Sequence, residues 1–369
     1  MFRKLLLFLA VFLLLTPLMV APVFAITQTE GQNETFKAKV IKVLEERTID
    51  REDGSVVTQQ NLLLIALNGQ LKGEEITSFG IGDYDLVSVG TYKSGDAVYV
   101  DYIIDENGNQ AYFVTDYVRT GWLYLLVILF ILATIIISGR KGIRSLLSLV
   151  LSFVVIMTLI IPQLLNGANP LVVAVLGSLL IMVIIIYLTD GFNRKAHLAV
   201  LTVFISLILT LLLAYLFTWL TRLSGFSTEE ATLLVGTSIG SINFQGLLLA
   251  GILIGTVGVL DDIILGQIEA VAQIKLANNT LPTNLVYKMA TKVGQTHLGA
   301  IVNTLFLTYV GVSLPLLMLF YLSPVGHVDF FQVINNDVIA TEIVRTLVGS
   351  IGLILSMPIA TYLASKFLK

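Results

Sequence analysis

Asp261 and Asp262 stand side by side at the end of an apolar, glycine-rich stretch, GILIGTVGVLDD. Adjacent carboxylates resist simultaneous ionisation once desolvated, a property that suits proton coupling or cation binding. Groups able to complete such a site are Asn243, Gln245 and Asn303, which stand among apolar neighbours, and a third acid, Glu269. The roles expected are Asp262 as the proton or cation group, Asp261 as its tuning neighbour and the amides as neutral ligands.

A helix must position these residues. Positions 251, 255, 258 and 262 follow i, i+4, i+7, i+11 and so share one helical face. Gly251, Gly255 and Gly258 then form a flat strip for helix packing, with Asp262 at its end and Gly266, Glu269 and Gln273 continuing it. Asp261 points about 100° away. Glycines let another backbone approach closely. Asp262 is therefore expected to meet a neighbouring helix or a wet crevice, since a carboxylate facing lipid at the bilayer centre costs roughly 2.5 kcal/mol or more. If the apolar run begins at Leu247, about 22 Å of helix separates its start from the acids, which then lie inside a hydrocarbon core about 30 Å thick. If it begins at Ile242, they reach the interface and read as ordinary helix-end acids.

The region around the pair, 226–278, departs from plain apolar chemistry. It holds Gly236 and Gly240, and Ser227 with Glu230 forms a capping-box pattern. The segment 231–243 is too short for a full span and reads as a re-entrant or surface-lying piece. Beyond the acids, IEAVAQIKLANN and TNLVYKMATKVGQTH, with Lys275, Lys288 and Lys292, read as interfacial amphipathic helices attracted to anionic lipid. His297, Asp190 and His197 read as interfacial or surface groups.

The solvent around the stretch follows from composition. Of 369 residues 56% are hydrophobic and 13% are charged, against about a quarter charged in soluble domains. Residues 26–119 carry eight Lys/Arg and sixteen Asp/Glu, whereas the 250 positions after them carry twelve and nine. That second part holds seven apolar segments near the ~20 residues a spanning helix needs, at 122–138, 145–165, 170–189, 197–219, 244–264, 298–321 and 343–364. The fold class is an α-helical polytopic membrane protein of about seven mature transmembrane helices with a small N-terminal β domain, its partner the lipid bilayer. The net charge of −3 and the lack of a basic cluster argue against nucleic acid, and with no Cys there is no thiolate or disulfide chemistry.

Residues 1–25 begin with Arg3 and Lys4, continue through an apolar core and end in Val23-Phe24-Ala25, as a secretory signal does, with an uncleaved first span as the alternative. Residues 26–118 read as a small extracellular barrel or sandwich of the OB or SH3-like type. Stretches such as FKAKVIKVLEE, DLVSVG and GDAVYVDYIIDENGNQAYFV are broken by turn signals at Asp53-Gly54, Asn68-Gly69 and Asn107-Gly108. The helical part is 119–369. With the β domain outside, the loops 139–144, 190–197 and 265–297 and the tail put ten basic residues inside. This fits the positive-inside rule and gives a bacterial plasma-membrane protein with a cytoplasmic C-terminus.

The order of parts, with GLLLAGILIGTVGVLDD leading into VAQIK, resembles the YibE/F-like family of bacterial membrane proteins. The resemblance covers nearly the whole chain, and its most specific part is the acid pair, here Asp261 and Asp262. It implies an architecture, often loosely called a permease, and carries over no substrate, cofactor or proven functional residue.

Three functions compete. One is a permease for a small solute or ion, without ATP drive of its own because GxxxxGK[ST] is absent. One is a receptor or scaffold whose β domain binds an envelope or peptide partner, with the glycine strip as a seam to a second copy or a partner membrane protein. The third, an intramembrane hydrolase pairing Asp190 with Asp261 or Asp262, lacks the Gly-x-Gly-Asp pattern of such enzymes. The permease reading is preferred. It requires no enzyme activity and no cofactor, and the three scattered His give no metal-ligand spacing.

Overall fold

In the computed structural model, strand β1 (Glu34–Asp50) alternates inward Phe36, Ala38 and Val40 with outward Lys37 and Lys39, the period-2 pattern of a half-buried strand. The structure describes residues 34–50, 56–81, 91–104, 110–226, 234, 243–321 and 330–368. The signal segment 1–25, the turns Asp53-Gly54 and Asn107-Gly108, the strand DLVSVG, the Ser227–Glu230 pair and nearly all of 231–243 lie outside the described residues. The chain divides into two compact units, 1–133 and 134–369.

In the first unit β1 pairs with β2 (Val56–Ala66) along Ala38–Asp50 and with β4 (Ala97–Ile104) along Glu34–Lys39. Irregularities at Val40/Lys42 and Val43/Glu45 bend it. With β3 (Glu75–Phe79) and β5 (Gln110–Tyr117), the order is β3-β2-β1-β4-β5, all antiparallel, and the sheet curls until β3 approaches β5. Its core is Phe36, Val40, Leu62, Leu64, Val98 and Val100. The Asn68-Gly69 turn falls where its sequence puts it: Gly69 has φ 81° and Asn68 Oδ1 accepts a hydrogen bond from the Lys37 N–H at 2.6 Å.

Helix α1 (Thr120–Val155) holds the first expected apolar segment and the start of the second. They meet at Gly139, whose φ 56° and ψ −127° suit only glycine. A π-helical turn (Ile156–Ile160) leads into α2 (Ile161–Leu165), absorbing Pro162, which cannot bond back along a regular helix. Helices α3 (Pro170–Asp190), α4 (Arg194–Leu220), α5 (Phe244–Ala277), α6 (Thr283–Val312), α7 (Leu314–Tyr321), α8 (Phe330–Ile334) and α9 (Asp337–Phe367) follow. Asparagine starts four of them: the side chains of Asn169, Asn193, Asn243 and Asn336 accept from Leu171, Ala196, Gly246 and Val338 N–H groups.

Among the described residues five stretches are long and apolar enough to cross a membrane: Thr120–Leu165, Pro170–Asp190, Arg194–Leu220, Phe244–Ala277 and Asp337–Phe367. The first, of 46 residues, contains two of the seven expected segments. The segment expected at 298–321 is not among the five. It is the second half of α6, continuous with the amphipathic TNLVYKMATKVGQTH, followed by α7. Helix α5 is the hub of the second unit and packs on α3, α4, α6 and α9. Its Val257, Leu260, Ile264, Ile268 and Val271 meet Met182 and Ile186 of α3, Val203 and Leu207 of α4, and Leu353 and Met357 of α9 in one core.

Candidate functional site

The acid pair lies in the middle of α5. Asp261 is the eighteenth residue of a continuous 34-residue helix that runs on to Ala277, so the stripe continues through Gln273 and the acids do not mark a helix end. The two carboxylates separate by environment, because successive helical residues diverge by about 100°. Asp262 is exposed. Beside it is a crevice of about 30 Å³, room for a water or two, lined by Gly266, Gln267, Gly294 and His297. Asp261 is partly buried, and its Oδ1 is fully covered without a hydrogen-bond partner among the described residues. It lies within electrostatic reach of Asp262 and of Asp190 at the end of α3. The more shielded acid is thus Asp261, while Asp262 opens onto the crevice between α5 and α6.

The glycine strip follows the same geometry. Gly251, Gly255, Gly258, Asp262, Gly266, Glu269 and Gln273 are all exposed and form the outward face of α5, while the bulky residues between them fill the core. A Cβ added at Gly251 or Gly258 would meet nothing within 4 Å, and one at Gly255 would meet the Tyr309 hydroxyl of α6 at 3.0 Å. Among the described residues the strip therefore seats one tyrosine rather than a neighbouring backbone.

Beyond Gly266 the stripe reaches a second feature, a cavity of about 1000 Å³. Its lining includes Lys141, Asp190, Asn193, Arg194, Lys195, Glu269 and Lys275. The connection that carries Arg194 and Lys195 is fixed: Phe192 stacks on Tyr187, the Tyr187 hydroxyl lies 2.7 Å from His197 Nδ1, and Asn193 Nδ2 donates to the Asp190 carbonyl at 2.7 Å. Glu269 is engaged, receiving Lys195 Nζ at 2.7 Å and Gln273 Nε2 at 2.6 Å, so its charge is already balanced.

The amides do not join the acids. Asn243 caps α5, with its Oδ1 accepting from Gly246 N–H at 2.9 Å, and Gln245 Nε2 donates to the Leu223 carbonyl at 3.1 Å. Asn243 and Asp261 are 18 positions apart on one straight helix, about 27 Å. Asn303 is exposed on α6, and its side chain makes no hydrogen bond among the described residues. Asparagine's preference for helix starts accounts for the place of Asn243.

Two polar groups escaped the sequence reading. Gln267, buried one turn beyond the acids, meets the Thr361 hydroxyl of α9 at 2.9 Å. In the amide orientation that satisfies it, it donates to the Ala290 carbonyl and accepts from the Gly294 N–H of α6. A Cβ at Gly294 would come within 2.5 Å of this amide. On α9, Arg345 pairs with Glu342 at 3.0 Å, both about three-quarters buried, and the Arg345 Nε is covered without a partner among the described residues. The i, i+3 spacing of opposite charges inside an apolar helix was the available signal, since charges at such depth pair with one another.

No curated protein and no solved structure matches the chain. The match that exists is to a family: the model of the YibE/F-like protein covers residues 126–369, from α1 through the acid-bearing hub helix to the end of the chain, and the chain belongs to that family.

Proposed function

We propose that this chain is a permease for a small solute or ion, with Asp261 as its coupling group and Asp262 as the neighbour that meets water first. The observation that carries the reading is the covered, unpartnered Oδ1 of Asp261 on a helix long and apolar enough to cross a membrane. An ionised carboxylate at such a position is costly unless a proton or cation joins it, so its charge state and the occupancy of the site are linked. The small crevice beside Asp262 offers a route for water on that side.

The proposal takes the helical part as seven spans, with Gly139 turning the chain between the first two and the second half of α6 with α7 as the sixth. It places the β domain outside the bacterial plasma membrane and the C-terminus inside. Support for this sidedness comes from Lys141, Arg194, Lys195 and Lys275. The basic-loop count assigns all four to the cytoplasmic face, and they line a single cavity. A receptor or scaffold reading draws on a different observation. The glycine strip is exposed, and only 6% of the most apolar window of Thr120–Leu165 is buried, which leaves a second copy or a partner membrane protein surface to use.

The test is solute-evoked proton movement in liposomes that hold the purified chain and an internal pH dye, screened over a panel of small ions and solutes. We expect a response from the native chain, its abolition in Asp261→Asn at equal incorporation, and its partial retention in Asp262→Asn. Full activity in Asp261→Asn would remove Asp261 from the mechanism.

A further inference from the structure

We propose that the cavity bounded by the α3–α4 connection and the second half of α5 is a binding site for a phosphate-bearing anion. Asp261 does not line this cavity, so the inference stands whether or not the chain transports.

Charge is the first argument. Four cationic side chains reach the cavity, Lys141, Arg194, Lys195 and Lys275, against two carboxylates, Asp190 and Glu269. Glu269 is held by Lys195 at 2.7 Å, and Asp190 is approached by Lys141 at 3.7 Å. Arg194 and Lys275 are left without a carboxylate among the described residues.

The second argument is the state of those two. Lys275 is part-buried and is anchored by donating to the carbonyls of Ser365 and Leu368 near the end of α9. An ammonium has three N–H donors, so one remains for the cavity that the residue lines. Arg194 is the first residue of α4, and its guanidinium has no hydrogen bond or ion pair among the described residues. Its five donors form a rigid fork that matches phosphate oxygens two at a time. It stands at a helix start, where the backbone also favours an anion. The tyrosine stack and the Asn193 hydrogen bonds hold that start in place.

Size is the third argument. About 1000 Å³ is at the upper end of ordinary small-molecule sites and admits a group much larger than a bare ion. Two sources supply that chemistry, a soluble phosphate compound and the headgroup of an anionic phospholipid.

The full chain in neutral detergent is titrated with inorganic pyrophosphate by calorimetry. In parallel its thermal unfolding is followed in nanodiscs of phosphatidylglycerol or of phosphatidylcholine. Arg194→Gln shortens an exposed side chain that makes no hydrogen bond or ion pair among the described residues, so the variant folds. Pyrophosphate binding weakened roughly tenfold or more in Arg194→Gln identifies a soluble phosphate ligand. Stabilisation by phosphatidylglycerol over phosphatidylcholine that Arg194→Gln removes, with no pyrophosphate binding, identifies the lipid headgroup. In either case Glu269→Gln tightens binding, because it releases Lys195 to the anion. The proposal is overturned if Arg194→Gln matches the native chain with both probes, or if Glu269→Gln weakens the binding.

Discussion

A carboxylate group with a covered oxygen that no donor meets costs on the order of 1–3 kcal/mol or more. Asp261 is that group here, and its contrast with the β domain's acids is instructive. Asp116 is half-buried and fully served: Arg119 Nη1 lies 2.6 and 2.7 Å from its two oxygens, and the Tyr117 N–H donates to it at 2.8 Å. The Arg119 guanidinium, aided by that N–H, holds the Asp116 carboxyl below the usual carboxylate range. Because the folded value is the lower one, the pair supports the fold above the ordinary carboxylate range and its support fades as pH falls through the folded value. Hydrogen exchange of the β5 amides should therefore lose protection on acidification, and Asp116→Asn should flatten that pH dependence; an identical profile in the variant would show the pair to be idle. That GVLDD sets two acids on one long helix was legible in the sequence, but which of the two is the more shielded was not. The glycine face is not the packed one. The packed face is the bulky one, of Leu260, Ile263 and Ile264, because apolar volume is what fills a core.

Between elements, contacts around glycine differ sharply, and so should substitutions. Gly294 admits Gln267 so closely that Gly294→Ala must displace the amide bridging α5, α6 and α9, at a cost of about 1–3 kcal/mol. Gly251→Ala and Gly258→Ala face open space on a helix and should leave stability unchanged or raise it by up to about 1 kcal/mol. Detergent unfolding of the three variants checks the order; equal losses at all three would mean that another body covers the strip. Element limits were readable where caps and glycines mark them, as at Asn169, Asn193 and Gly139. They were not readable in α6, where Gln295, Thr296 and His297 looked like a boundary yet sit inside one helix. Exposed polar side chains do not interrupt backbone hydrogen bonding, and all three are exposed on α6.

For the whole molecule, composition alone divides a polar β unit from an apolar helical one after 118, whereas the two compact units of the structure part at 133, inside α1. Strand β3 and the closing approach of β3 to β5 were not legible, because pairing between distant strands leaves no local pattern. Sidedness is open to direct test, since the chain has no native Cys. Lys141→Cys, Arg194→Cys and Lys366→Cys should react with an impermeant maleimide only from the cytoplasmic side, and Lys37→Cys only from outside; labelling of both groups from one side would overturn the proposed topology. The central claim is that Asp261 exchanges a proton from a shielded position within a spanning helix. Infrared difference spectra of the lipid-embedded chain across pH, native against Asp261→Asn, measure this most directly. The native chain should show a protonated-carboxyl band that titrates, shifts in D2O and is missing from the variant; superimposable spectra from the two proteins would rule out proton exchange at Asp261.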